Sequence, residues 1–186
     1  SKLKNVLSFY KMYVSNSNLK NQISNLHSEN ILDKWILARL NVLTKEVSVA
    51  LDNYEIDKAA RPIGEFVDDL SNWYVRRSRE RFKDPLIISG QGASATLNHV
   101  LIELSKLISP FMPFVAEEIY QNLKSQISNL KSKESVHLEE WPKLEKISEE
   151  DEKNLEIMIK AREITSIALD IRQKEGISIR QVSGSF

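Results

Sequence analysis

The stretch DDLSNWYVRRSRERF, residues 68–82, decides how this chain folds. Apolar residues at helical spacing lead into it, and projection at about 100° per residue puts them on one side of a helix. That side carries Ile63, Phe66, Val67, Leu70, Trp73 and Tyr74. Continued in steps of four from Trp73, it carries Arg77 and Arg81. The stretch therefore predicts a long helix whose buried face becomes cationic where the helix passes the end of its bundle.

Helical periodicity recurs on both sides of this stretch. Apolar residues spaced by three and four predict helices over residues 3–15, 31–53, 93–109 and 149–174. The central helix is predicted to begin either after an N-cap at Asp57, with Pro62 kinking its second turn, or near Arg61 with Pro62 at its first position, and to run to about Phe82. Pro113 suits the first turn of another helix, which ends near residue 123 or 130. The predicted fold class is all-α, a helical bundle of four to five long helices.

The segments between these helices are rich in turn-forming residues. Residues 16–28 are predicted to be a loop, residues 89–92 a turn-rich connection, and residues 131–148 irregular. Alternation over residues 177–180 predicts a short strand at the C-terminus. The last long helix is predicted to bury seven residues: Ile157, Met158, Ala161, Ile164, Thr165, Ala168 and Ile171.

Composition narrows the possible functions. The 186 residues contain 26 basic and 26 acidic side chains, so the formal net charge is zero. Any attraction to nucleic acid must therefore be local, and residues 76–83 supply five cations opposed only by Glu80. There is no cysteine, which excludes disulfides and thiolate metal sites. No apolar stretch approaches the roughly 20 residues of a membrane span, so no membrane partner is expected.

Catalytic and metal-binding patterns are missing from the sequence. The three histidines stand singly, without a second ligand at helical spacing, so no metal site is predicted. There is no glycine-rich phosphate loop and no nucleophile elbow. We therefore predict no catalytic residues and no cofactor for this chain.

Several motifs, in the order and spacing in which they occur, resemble the anticodon-binding domain of isoleucyl-tRNA synthetases. Besides the central stretch they are ILDKWILARLN at 31–41, NYEIDKAAR at 53–61, LISPFMPFVAEEIY at 107–120 and SVHLEEWP at 135–142. The resemblance covers residues 1–181 and departs from the family pattern beyond Gln181. It implies a helical anticodon-binding domain over residues 1–175 and the truncated start of a C-terminal junction domain over residues 176–186.

The resemblance also implies a function and a site. The helical domain of this family recognises the tRNA anticodon stem-loop, which makes tRNA(Ile) and the remaining synthetase domains the expected partners. Aromatic rings beside guanidinium groups suit phosphates and unstacked bases. The residues expected to bind tRNA are Arg39, Asn72, Trp73, Arg76, Arg77, Arg79, Arg81 and Lys83. Of these, Arg76, Arg79 and Lys83 project from the outer face and are expected to contact phosphates.

The family's catalytic domain carries a His-x-Gly-His motif and a Lys-Met-Ser-Lys-Ser loop, and neither occurs here. The chain is thus expected to be a fragment of a larger cytoplasmic enzyme and inactive alone. ATP and magnesium are expected to belong to the absent catalytic domain.

Alternative interpretations remain open for the whole domain and for single residues. The domain could come from a valyl-tRNA synthetase or another relative, or it could be a helical protein-interaction scaffold without an RNA role. The arginines could form a solvated face in which Glu80 pairs with Arg76 or Arg77. Trp73 could be a core residue, and Arg39 could pack beside Trp35 against the neighbouring helix.

Overall fold

A computed structural model describes residues 2–13, 28–83, 88–124 and 133–178, with the backbone alone at residues 88–91. Its α-helices are α1 (Lys2–Tyr13), α2 (Ile31–Asp52), α3 (Ile56–Asp68), α4 (Arg79–Lys83), α5 (Ile88–Ile108), α6 (Pro113–Lys124) and α7 (Glu149–Lys174). A π-helix occupies Asp69–Val75, and a short 3-10 helix occupies Val136–Leu138. The predicted all-α class is confirmed, and the described residues contain no strand. None of the described helices is long and apolar enough to cross a membrane.

Two compact units make up the chain, Ser1–Ile147 and Ser148–Phe186. In the first unit, α2 packs against α3 and α5, α5 packs against α6, and α1 packs against the π-helix. Periodicity predicts six buried residues in the helix at 93–109, and all of them lie in the core: Leu97, Val100, Leu101, Leu104, Leu107 and Ile108. The largest fully buried side chain is Trp35. The domain boundary predicted between residues 175 and 176 stays a prediction.

Helix ends follow local chemistry at several points. Asn30 caps α2 by accepting a hydrogen bond from the Leu32 amide, and Ser148 forms a capping box with Asp151 at the start of α7. The predicted N-cap Asp57 is wrong by two residues, because Glu55 holds that position and Pro62 lies inside α3. As predicted for a residue after a C-cap, Gly176 has a positive φ of 66°.

Helix α5 begins earlier than predicted. The turn-rich connection expected at residues 89–92 is wrong, because the helix already starts at Ile88. Glycine weakens a helix by only about 1 kcal/mol, which tertiary packing of the following buried residues easily offsets. Gly92 also permits a close approach, since a Cβ there would lie 3.1 Å from the Ser28 Oγ atom.

The seven predicted core residues of α7 are mostly exposed. Met158 is buried and Thr165 is half-buried, whereas Ile157, Ile164 and Ile171 are exposed. Ala161 and Ala168 are exposed too. The prediction is wrong for these five residues, because amphipathic spacing identifies an apolar face but does not supply side chains to cover it.

Two further predictions fall partly outside the described residues. The loop at residues 16–28 lies there except for Ser28. Of the strand predicted for residues 177–180, Ile177 and Ser178 have no regular secondary structure, and the other two residues are not described.

The residues from 133 to 147, here called the strap, hold the bundle together without a long helix. Asn41 exchanges two hydrogen bonds with the backbone of Glu145, at 2.6 and 3.1 Å, and the Trp141 indole donates to the Ser48 hydroxyl at 2.8 Å. At its other end, Glu117 accepts hydrogen bonds from Ser135 and Val136. Between α2, α5 and the strap lies a groove of about 560 Å³ that His99 helps to line.

The half-buried His99 is expected to make stability depend on pH. Burial lowers the pKa of its imidazole, although the charges of Glu103 and Glu145 act in the opposite direction. The unfolded chain takes up a proton at His99 near its ordinary pKa of about 6.5, while the native chain resists protonation. We therefore expect the free energy of unfolding to decrease as the pH falls below about 6.5, and His99→Gln to reduce that decrease.

Urea unfolding at a series of pH values between about 7 and 5.5 measures this effect. His137→Gln is the matched control, because His137 is exposed. Identical pH slopes for the wild type, His99→Gln and His137→Gln would contradict the role assigned to His99.

Candidate nucleic-acid interface

The predicted cationic face lies on a nearly continuous helical run that consists of α3, the π-helix and α4, here called the arginine helix (residues 56–83). Arg76, Arg77 and Arg79 are exposed on it, as is Asn72 one turn earlier. Within the described part of the chain, the side chains of Arg76 and Arg79 form no hydrogen bond and no ion pair. Their guanidinium groups are therefore available to an anionic partner.

Trp73 and Arg77 form a stacked pair on the same surface. The Arg77 guanidinium carbon lies 4.1 Å from the centre of the Trp73 ring, which is a cation–π contact. Trp73 is half-buried, so its ring is partly core and partly surface. Stacking restrains the guanidinium group and leaves its N–H donors at the edge, where phosphate oxygens or base edges can accept them.

Arg81 points into the bundle. Its side chain is only 15% exposed, and its two terminal nitrogens donate to the Asp33 carboxylate at 2.8 and 2.5 Å. Asp33 has no exposed surface and also accepts hydrogen bonds from the Tyr74 hydroxyl at 2.8 Å and the Ser28 hydroxyl at 2.5 Å. Tyr74 itself is fully buried, as its place on the apolar side of the helix predicted. Burial, together with the charge of Asp33, raises the pKa of Tyr74 well above its ordinary value.

Arg39 forms a second ion pair between α2 and the arginine helix. Its Nε atom donates to the Asp69 carboxylate at 3.1 Å, and the two side chains are 19% and 7% exposed. Lys83 forms a third pair, with Glu80 at 2.7 Å, but this one lies on the surface. The pairing of Glu80 with Arg76 or Arg77 that the sequence allowed does not occur, because Glu80 pairs with Lys83 instead.

Arg77 and Arg81 both follow the π-helix and are separated by four residues, yet they differ in exposure. In a regular α-helix, a spacing of four residues overshoots a full turn by about 40°, so a stripe spaced by four winds round the helix. The wider turn of a π-helix compensates for this drift. Leu70, Tyr74, Ser78 and Phe82 consequently stay buried along one face. Arg77 is exposed, and Arg81 lies beside the buried stripe.

The eight predicted site residues thus fall into two groups. Six lie together on the outer surface of the arginine helix: Asn72, Trp73, Arg76, Arg77, Arg79 and Lys83. The other two, Arg39 and Arg81, are engaged in ion pairs with carboxylates of the bundle. The roles of all eight as tRNA contacts remain predictions, and the exposed group has the geometry that such contacts need.

Sequence reasoning missed the carboxylates that hold the arginine helix. Asp33 stands three residues before Ile36, on the apolar side of α2, and both are fully buried. A carboxylate at an apolar position requires a cationic or hydrogen-bonding partner. The apolar position of Asp33 could therefore have indicated a buried ion pair. It could not have identified the partner, Arg81, which lies 48 residues away.

The described residues contain no group of three or more His, Asp or Glu side chains placed to hold a metal ion. The exposed surface of the arginine helix offers hydrogen-bond donors, positive charge and an aromatic ring. These groups suit recognition of an anion with planar groups.

Comparison with known proteins agrees with this chemistry. Residues 33–183 match the family described as the anticodon-binding domain of tRNA ligase. The chain is 49% identical over 144 residues to an isoleucine–tRNA ligase of Clostridium acetobutylicum, an alignment that covers 76% of this chain and 14% of that protein. It is 43% identical over 181 residues to the Clostridium kluyveri enzyme, covering 95% of this chain and 17% of the relative.

A third relative, the isoleucine–tRNA ligase of Clostridium tetani, is 40% identical over 190 residues, covering 100% of this chain and 18% of that protein. The chain therefore spans less than a fifth of the length of these curated relatives. The resemblance that the sequence motifs indicated is confirmed. The chain belongs to the family of anticodon-binding domains of tRNA ligases.

Proposed function

We propose that this chain binds the anticodon stem-loop of tRNA(Ile) as one domain of an isoleucine–tRNA ligase. The observation that carries the proposal is the exposed surface of the arginine helix, where the stacked Trp73–Arg77 pair lies beside the exposed Arg76 and Arg79. The names of the relatives support the identity of the amino acid. In the same proposal, the remaining domains of the enzyme are partners of this domain, and they use ATP and magnesium in the cytoplasm.

Within this proposal the exposed residues divide the work. Arg76 and Arg79 neutralise phosphates, which fixes the position of the RNA without reading its sequence. Trp73, Arg77 and Asn72 face the loop, where unstacked bases offer both a ring to stack on and edges to hydrogen-bond. Specificity for a loop rather than a duplex follows, because the bases of double-stranded RNA are not accessible in this way.

Titration of the chain with a tRNA(Ile) anticodon stem-loop at two salt concentrations tests the proposal, with a tRNA(Val) stem-loop as the competing RNA. We expect preferential binding of the isoleucine hairpin that weakens with salt. Equal affinity for the two hairpins would favour the valyl or a generic phosphate-positioning alternative. An absence of binding even at low salt would favour the protein-interaction scaffold.

The salt slope is the change in the logarithm of the binding constant per unit change in the logarithm of the salt concentration. We expect Arg76→Ala and Arg79→Ala each to reduce the magnitude of this slope by about 0.7–0.9, because each removes one phosphate contact. Arg77→Ala is expected to weaken binding about tenfold through the loss of a stacked contact. Affinities measured by fluorescence anisotropy with a labelled hairpin give both quantities.

The matched control is Arg61→Ala. Arg61 is also an exposed arginine, on α3 at the opposite end of the arginine helix, and it forms a 3.8 Å ion pair with the exposed Asp57. If Arg61→Ala lowers the salt slope as much as Arg76→Ala does, binding is not localised to the proposed surface.

A further inference from the structure

The π-helix lies in the middle of the proposed RNA-binding surface. Trp73 is one of its residues, and Arg76 and Arg77 follow it immediately. A π-helix is rare and persists only where surrounding contacts hold it, and it frequently accompanies a functional site. The position of the stacked Trp73–Arg77 pair on the bundle therefore depends on what keeps this turn wide.

Two buried ion pairs from α2 bracket the π-helix. Arg39 contacts its first residue, Asp69, through the 3.1 Å hydrogen bond. Asp33 contacts Tyr74, its penultimate residue, and also Arg81 beyond it. Asp33 and Arg39 lie six residues apart on α2, so one helix contacts both ends of the π-helix.

The two sets of contacts differ in how many segments of the bundle they join. The Asp33 network includes Tyr74, Ser28 and the Ala93 carbonyl, which accepts from the Tyr74 hydroxyl at 3.2 Å. It consequently joins several segments. The Arg39–Asp69 pair joins α2 to the first residue of the π-helix, where the regular helix ends.

We propose that Arg39 and Asp69 are positioning residues for RNA recognition: their ion pair keeps the π-helix wide and so sets the direction in which Trp73 and Arg77 face. This inference rests on the proposed function and assigns Arg39 a role through Asp69. Without the pair, the turn relaxes toward a regular α-helix and rotates the stacked pair relative to the bundle.

A double-mutant cycle distinguishes positioning from direct contact. The variants are Arg39→Gln, Asp69→Asn and the two combined, titrated with the tRNA(Ile) stem-loop. If the pair positions the surface, each single variant weakens binding about tenfold, the double variant is no weaker than either, and the salt slope stays that of the wild type. If Arg39 contacts a phosphate directly, Arg39→Gln lowers the salt slope while Asp69→Asn does not weaken binding, which overturns the proposal.

A second readout does not depend on RNA. The side-chain indole N–H resonance of Trp73, assigned with Trp73→Phe, is expected to shift in Asp69→Asn and in Arg39→Gln, and to stay near the wild-type position in Arg39→Lys. The matched control pair is Asp57 and Arg61, which is exposed on α3. Asp57→Asn and Arg61→Gln should leave the resonance unchanged.

The combined results separate the two proposals. An unshifted Trp73 resonance in all four variants of the buried pair overturns the positioning role, whatever the RNA does. If the resonance shifts but the wild-type chain binds no stem-loop, the ion pair controls the geometry of the turn, and the role in RNA recognition is overturned. Circular dichroism of each variant identifies any that is unfolded, and Arg39→Met, which also lacks the charge, then replaces Arg39→Gln in the cycle.

Discussion

Arg81→Ala is expected to lower the free energy of unfolding by about 3–5 kcal/mol. Asp33 is fully buried, and Arg81 donates both of its terminal nitrogens to that carboxylate. Removing the guanidinium leaves a buried charge that, among the described residues, accepts from the two neutral hydroxyls of Tyr74 and Ser28. Urea unfolding followed by far-ultraviolet circular dichroism measures the loss.

Arg77→Ala is the matched control for this experiment. Arg77 is an exposed arginine one turn earlier whose contact with Trp73 is worth about 0.5–1 kcal/mol. The combination Asp33→Leu with Arg81→Met should cost less than Arg81→Ala alone, because it leaves no buried charge. Equal losses for Arg81→Ala and Arg77→Ala would show that the buried pair does not stabilise the bundle. Any effect of Arg81→Ala on RNA binding must be corrected for the fraction of unfolded protein.

Phe82→Ala is expected to cost about 3–5 kcal/mol by leaving a cavity where three aromatic rings meet. Phe82 is 1% exposed and makes edge-to-face contacts with Phe9 of α1, at 5.2 Å between ring centres, and with Tyr74, at 6.3 Å. Each such pair contributes about 0.5–1.5 kcal/mol beyond the burial of its area. Urea unfolding measures the total effect.

The loss should be largest for α1, because Phe9 contacts Phe82 directly. Native-state hydrogen exchange is expected to show amides of α1 losing more protection than those of α6. Phe114→Ala is the matched control: this ring is 90% exposed, and its removal should change stability by less than about 0.5 kcal/mol. A Phe82→Ala variant as stable as Phe114→Ala would mean that the aromatic cluster is unimportant.

The positions of the helices could be predicted from the sequence because each carries its own periodic apolar face. Helix α5 is the clearest case, with all its assigned core residues buried. Its start could not be predicted, because Ser89 and Gly90 favour a turn locally and only tertiary packing extends the helix to Ile88.

The cationic residues of the site could be located from sequence, but their directions could not. Projection at a constant angle assumes a regular α-helix, and the π-helix breaks that assumption between Asp69 and Val75. Arg77 and Arg81 both follow it, and they were assigned to one face because a spacing of four residues was taken as a full turn, which it overshoots by about 40°. Arg77 is exposed, whereas Arg81 is bound to Asp33. The partner of Arg81 is distant along the chain, so no local pattern specifies it.

Helix α7 shows a different limit of periodicity. The spacing of Ile157, Ile164 and Ile171 is that of an inward-facing stripe, and it gives the helix correctly. Burial, however, depends on whether a second element packs against that stripe. The sequence of one segment carries no information about such packing.

The exposed arginines belong to a chain whose formal net charge is zero. At physiological ionic strength, the field of such a local group of charges decays within about 8 Å. An anion far from the protein therefore experiences almost no attraction, and the rate of first encounter gains little from charge. In the last few ångströms the protein behaves as an electric dipole whose positive end turns toward the arriving anion, so the arginine surface acts by aligning a partner that diffusion has already delivered.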